Sequence, residues 1–522
     1  MRSTTSTSAA TPPPHTLAGG ARALAGAVLL LVTAATTLVG QEARRLSLAE
    51  AISIAQRSNP GFQMTANDQA PADWNVREAY GQFLPSVTAN GGASFTEAGV
   101  QRFGTVDLGV QSTDWYSSSY GLNANWSLSG STIFGLSSAR AAQDATAANI
   151  RAARFTLETQ VTLQYMAALR ARDALDVARD QFERAGRNAE IVRTRVEMEA
   201  VAGTEGRQAE VDVGRAEVAL LRAERLLRAE KLRLMEQLGE TVATDLELVS
   251  EFEVFEPGWS LDELLEDALA AHPSLEAARA QEGSTRAQVR QARSSYFPSV
   301  NLSTGLRGFT QKALNDDYVL GNTQDRAAGN VLGCQRNNAL ANAIGGLPGW
   351  EVRDCAALAY TDEMGQSALE ANDAFPFDFT RNPVSVSLTV SMPVFQGFSR
   401  QRQVEQAQAA SSDAAHLRRQ EELRLRTAVT QSLDNLESAW IEVQIEERNL
   451  ELATQRLTEA RQRYEVGNTS ILELMDSQTS LTTAQRDHLV AVYNFHQSLV
   501  ALEAATGRSL RAEVAPAGDS GS

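Results

Sequence analysis

The sequence predicts a mainly α-helical chain with a small β part, written as two copies of a helix–strand–strand–helix unit. Three observations predict it. Residues 46–92 align without a gap on residues 259–305, at a constant offset of 213. Four segments of about 10 residues alternate apolar and polar side chains, the length of a tilted membrane strand. Two segments of about 66 residues almost lack helix breakers, enough for roughly 100 Å of helix at 1.5 Å per residue.

The repeat is read from ordered matches. Ser47-Leu48 meets Ser260-Leu261, and Asn59-Pro60 meets His272-Pro273. Phe83-Leu84-Pro85-Ser86-Val87 meets Tyr296-Phe297-Pro298-Ser299-Val300. Farther on the match is looser. Leu122 corresponds to Leu388 and Arg195-Val196 to Arg463-Tyr464, at offsets of 266 and 268. An internal repeat of this order points to duplication of a whole structural unit.

In chain order, residues 1–40 are expected to be a signal peptide: Arg2 and Arg22, an apolar run from Ala23 to Val39, then Gly40 and Gln41. The alternative is a membrane anchor, since the run of 17 residues lies at the lower limit for a spanning helix. The first repeat covers 46–239, with strands near 83–95 and 117–129, a long helix at 131–196 and a returning helix at 205–238. A connector follows at 240–258. The second repeat covers 259–508, with strands near 296–309 and 384–395, an insert at 310–383, a long helix at 398–464 and a returning helix at 471–506. Residues 509–522 are expected to be a disordered tail.

The strands show period two. Tyr120, Leu122, Ala124, Trp126 and Leu128 alternate with small polar residues, as do Val384, Val386, Leu388, Val390 and Met392. One oily and one polar face suits a barrel with lipid outside and water inside. Alternation alone fits a half-buried soluble sheet equally well. Four strands cannot close a barrel, because closed ones begin at about eight. Open edges in lipid leave backbone groups unsatisfied at several kcal/mol each, so membrane residence demands neighbouring chains.

The long helices carry 3-4 spacing, as in Val429, Leu433, Leu436, Trp440 and Val443, or Leu157, Val161, Tyr165 and Ala168. Sustained spacing of this kind predicts coiled-coil packing. A periplasmic coiled-coil scaffold explains the helices but not the strands or the duplication.

Composition removes other function classes. Only Lys231 and Lys312 are lysines and neither follows a glycine, so no phosphate-binding loop can form around a Gly-Lys pair. A net charge of −17 argues against a nucleic-acid partner, which needs a basic face. His488 and His496 lie eight apart on one helix without an acidic partner at zinc spacing, and are read as packing or surface residues. His272 stands opposite Asn59 in the repeat, where it suits helix termination. No catalytic residue, cofactor site or metal site is expected.

The segment Arg463-Tyr464-Glu465-Val466-Gly467-Asn468-Thr469, followed by Ile471-Leu472-Glu473-Leu474-Met475-Asp476-Ser477-Gln478, resembles the TolC-like outer-membrane efflux protein family. So do Met392-Pro393-Val394-Phe395-Gln396-Gly397, the two Pro-Ser-Val strand entries and Ala501-Leu502-Glu503-Ala504-Ala505-Thr506-Gly507. The resemblance covers about residues 46 to 508. It implies a homotrimer with a 12-stranded β-barrel in outer-membrane lipid, set on a long α-helical coiled-coil barrel in the periplasm. It implies passive exit driven by an inner-membrane transporter of RND or ABC type through a periplasmic adaptor (membrane fusion protein), with type I protein secretion as the alternative cargo. The family closes its periplasmic tip with a tyrosine, an arginine and two aspartates. By motif these positions fall on Tyr464, Thr469, Glu473 and Asp476, around the turn at Gly467. Threonine cannot make the charged hydrogen bonds of the arginine, so the closing network is altered here.

The insert is the largest departure from the family and is expected as an irregular loop outside the cell, a tolerated surface insertion. It holds the only cysteines, Cys334 and Cys355, 21 residues apart. In an exported protein such a pair points to a disulfide, with two free thiols as the alternative.

Overall fold

The structure is a computed structural model that describes residues 44–103, 105–111, 113–241, 246–250, 252–344 and 352–511. The expected signal peptide lies outside the described residues. The first half runs β1 (Arg44–Leu46), α1 (Leu48–Ser58), α2 (Pro60–Ala66), α3 (Gln69–Gly81), β2 (Ser86–Thr96), β3 (Gly99–Phe103), β4 (Val106–Gln111), β5 (Trp115–Leu128), α4 (Gly130–Glu197) and α5 (Gly203–Leu238). After β6 (Leu246–Leu248) the second half runs α6 (Leu261–Ala271), α7 (Pro273–Arg293), β7 (Ser299–Ala313), α8 (Asp316–Ile344), α9 (Asp362–Asn372), β8 (Thr380–Arg381), β9 (Ser385–Ser391), α10 (Ser399–Glu465) and α11 (Ile471–Thr506).

The β part is an antiparallel sheet in the order β2-β5-β7-β9, with the short β8 also on β7. Its register keeps like with like. Leu122 faces Leu306 and Trp126 faces Leu302, while Asn123 faces Gly305 and Asn125 faces Ser303. On β9, Leu388 faces Leu302 and Ser387 faces Ser303. One face is therefore mainly apolar, and the other a polar lining of Asn, Ser, Thr and Gly. On the polar face the Asn123 amide donates to the Asn90 side chain at 3.1 Å.

Two coiled hairpins, α4–α5 and α10–α11, extend from the sheet. The 3-4 series packs inward, mostly within each half. Leu157, Val161, Tyr165, Leu169, Leu234 and Leu238 form one core. Val429, Leu433, Leu436, Phe495, Leu499 and Leu502 form the other. The Tyr165 hydroxyl donates to the Leu46 carbonyl at 2.8 Å and accepts from the Ser250 amide at 3.2 Å, tying the β1–β6 ladder to α4.

The duplication builds one joint twice. Asn59 and His272 each cap the helix that follows, accepting from the amides of Phe62 and Ser274. Each also binds a carbonyl in the last turn of a returning helix: the Asn59 amide reaches Gln237 at 2.8 Å, and His272 Nε2 reaches Ala504 at 2.9 Å. Those helices end in left-handed glycines, Gly239 at φ 74° and Gly507 at φ 81°.

Five expectations need correction. The insert is not one irregular loop, because residues 316–344 form α8 with Cys334 on it. Ala327 and Ala341 alone on this helix are buried, so it had no apolar stripe to read. The third strand runs on to Ala313 because β5 pairs with it as far as Trp115. The fourth strand stops at Ser391, and the β3–β4 hairpin was not anticipated. The chain also stays ordered beyond α11. Leu510 is fully buried, and the Glu503 carboxylate accepts from the amides of Leu510 and Arg511 at 2.9 and 3.3 Å. The rest of the expected tail lies outside the described residues.

His496 is 2% exposed, with the rings of Phe495 and Phe252 at 5.4 and 5.6 Å. Burial, helped by the nearby Arg511 guanidinium, pushes its pKa down to about 4. The folded value lies below the ordinary ~6.5, so as pH falls the unfolded chain takes up the proton first. Stability is fully present above that ordinary value and is lost through the window down to about 4, by on the order of 3 kcal/mol. Melting curves should fall across this window, and His496→Gln should flatten that part of the slope.

Candidate functional site at the distal hairpin turns

The two hairpins close with the same turn. In the second, the Asn468 amide donates to the Arg463 carbonyl at 2.8 Å and the Gly467 amide to Tyr464 at 3.0 Å. Gly467 takes φ 79°, the left-handed conformation that lets a helix stop and reverse. In the first, the Ala200 amide donates to the Arg195 carbonyl at 2.8 Å. Glu199, the repeat partner of Gly467, adopts φ 58° despite its side chain. Ser470 then caps α11, accepting from the Glu473 amide at 3.4 Å.

The tips are packed together. Val192, Ala209, Ala460, Tyr464 and Leu474 form a small core. The Arg195 guanidinium lies 4.5 Å over the Tyr464 ring and donates to the Tyr464 carbonyl at 3.0 Å. Tyr464 is 3% exposed, and its hydroxyl has no hydrogen-bond partner among the described residues.

The sequence-predicted residues separate into three groups. Thr469 and Glu473 meet, the hydroxyl donating to the carboxylate. This is a hydrogen bond from a neutral hydroxyl to a charged acceptor, a different bond from the charged contact an arginine would make. Asp476 instead pairs with Arg456 of the preceding helix at 2.6 Å, and Arg456 also reaches Ser480 Oγ at 3.2 Å. Tyr464 joins neither carboxylate and is held by Arg195. Glu473 and Asp476 both stand exposed, one turn apart on α11. The positive charges set against Tyr464 and Asp476 are those of Arg195 and Arg456, neither singled out as a site residue from the sequence. The repeat carried a signal for Arg195, which aligns with Arg463 beside Tyr464. Arg456 carried none, because its pairing with Asp476 crosses a hairpin.

Cys334 and Cys355 are bonded to each other, with Cα atoms 5.6 Å apart. Among the described residues no group of three or more His, Cys, Asp or Glu side chains could hold a metal ion, and no helix is long and apolar enough to cross a membrane.

Residues 51–240, 264–330 and 357–508 match the family model described as outer membrane efflux protein. The chain belongs to that family. It is 24% identical to Protein CyaE of Bordetella pertussis over 480 residues, 90% of this chain and 85% of that protein. Its fold is similar to the CmeC outer membrane channel of Campylobacter jejuni, with TM-score 0.66 and 12% identity over 88% of this chain and 85% of that one. It is likewise similar to the outer membrane protein VceC of Vibrio cholerae, with TM-score 0.62 and 15% identity over 88% and 96% of the two chains. The protomer is therefore part of an outer-membrane channel for efflux or export and not an enzyme, with a helical tunnel in the periplasm. Channels of this family are homotrimers that work with adaptors and inner-membrane transporters. Both cysteines fall in the stretch 331–356 that the family model leaves unmatched.

Proposed function

We propose that the distal turns form the periplasmic aperture of this duct and that Glu473 and Asp476 give it a preference for cations. A periplasmic adaptor would link the aperture to a transporter of RND or ABC type. The observation that carries this reading is the placement of two exposed carboxylates on one face of α11, in the turns farthest from the sheet, each oriented by a neighbour. Three copies around an axis form rings of negative charge, which attract cations and repel anions.

Arg456 tunes the ring by cancelling part of the Asp476 charge. Arg456→Gln should raise the cation-to-anion permeability ratio by roughly twofold, the scale of freeing one screened surface charge per chain. Reversal potentials in planar bilayers under a salt gradient measure it. An unchanged ratio removes Asp476 from the conducting path. Cargo is read by deleting the gene and comparing drug susceptibility with the amount of secreted protein: loss of resistance favours small-molecule efflux, and loss of secretion favours the type I pathway.

A further inference from the structure

The returning part of the insert does not lie over the polar lining of the sheet. It docks on the apolar, lipid-facing side of β5 and β7, at the extracellular end. Phe375 stacks on Tyr116 at 5.5 Å, Ser118 Oγ donates to the Pro376 carbonyl at 2.6 Å, and Phe379 meets Tyr120 edge-on at 4.9 Å. Tyr116, Ser118 and Tyr120 share the face of Leu122 and Trp126, because β5 pairs with β7 without a register shift. The Asn372 side chain fixes the start of this strap with two bonds to the Ala313 backbone, at 2.7 and 2.8 Å.

The strap covers what lipid would not tolerate. Ser118 and Thr310 face each other on the outward side, and they are 9% and 4% exposed. Below them the face is apolar apart from Thr304. Between Phe375 and Phe379, which both rest on the sheet, Phe377 is 81% exposed. At the opposite end of the strands, Phe297, Phe395 and Phe398 are also exposed, at 53%, 70% and 68%. Phe297 lies 11 residues before Gly308, the partner of Tyr120. At about 3.3 Å per residue and a tilt near 40°, the two aromatic levels stand roughly 28 Å apart. That is close to the ~25 Å apolar band that aromatic girdles flank in outer-membrane barrels.

We infer that the strap Phe375–Phe379 is a membrane-boundary anchor: Phe377 inserts at the headgroup level of the outer leaflet, and the strap sets where the lipid-facing wall ends. Its occupant is interfacial lipid, because the strap is continuous with the apolar face below it and aromatic rings favour that depth. This strap is thereby a fitting on the outside of the duct, and the polar lining stays uncovered by this segment.

The test uses the full trimer in phosphatidylcholine vesicles. The described cysteines are both in the disulfide, so Phe377→Cys introduces a single reactive thiol for an environment-sensitive fluorophore. Glu363→Cys, on the exposed face of α9, serves as the reference, and heat-resistant trimer bands confirm that both variants assemble. The label at 377 should emit to the blue of the reference. Lipid nitroxides near the headgroup should quench it more strongly than nitroxides deep in the acyl chain. Water-like emission without quenching overturns the proposal. So does a blue shift without quenching, which would place a neighbouring protomer on Phe377.

Discussion

Neutralising both tip carboxylates, as Glu473→Gln with Asp476→Asn, should lower the cation-to-anion permeability ratio several-fold while leaving the protein folded and trimeric. A unit charge about 7 Å from a passing ion contributes on the order of 0.6 kcal/mol even in bulk water. Two such charges on each of three chains would exceed a tenfold preference without screening. At about 0.1 M salt the Debye length is near 10 Å, which reduces the effect without removing it. The structural cost is small. Glu473 loses a favourable place at the start of α11, worth roughly 0.3–1 kcal/mol, and the amide of glutamine can still accept from Thr469. Asp476 loses one exposed ion pair with Arg456, an interaction in the class worth about 0–1 kcal/mol. Stability and selectivity therefore separate. A double variant with normal trimers and an unchanged reversal potential would show that the carboxylates are ordinary helix-start residues. The preference should also shrink as salt is raised, since it rests on exposed charge.

Gly239→Ala should prevent recovery of heat-resistant trimers, whereas Gly258→Ala should not. Gly239 ends α5 at φ 74°, where an L-residue is disfavoured by roughly 1–2 kcal/mol. A Cβ there would also stand 2.3 Å from the Ser58 carbonyl oxygen and 2.9 Å from Asn59 Cα. Those are backbone atoms at the α1–α2 corner, so a rotamer change cannot relieve the clash. Overpacking of this kind adds about 1–3 kcal/mol more. The displaced corner is the one whose Asn59 side chain holds the end of α5, so the joint that links helix to hairpin opens. Gly258 meets nothing within 4 Å and has ordinary backbone geometry. Normal assembly of Gly239→Ala would mean that the corner can move at little cost.

Much of this protein is determined by its sequence alone, because local spacing encodes it. The 3-4 pattern needs only neighbours on one helix, so Val429, Leu433 and Leu436 announce a buried seam before any partner is known. Period two does the same for Leu122, Ala124 and Trp126. The duplication adds a check on both, and the glycine turn at Gly467 marks the tip. Where no face is buried, as along α8, the spacing carries no message and the helix was missed.

The tertiary structure alone decided three things. It showed that Arg456 and Arg195 supply positive charge at a tip where the family's arginine is replaced by Thr469. It showed that Asn59 and His272 hold the ends of α5 and α11 as well as capping the helices that follow them. It placed the insert's return strap on the outward face of the sheet. Each depends on which residues far apart in the chain become neighbours. Periodicity reports the face of an element that will be buried, but it does not report what will lie against that face.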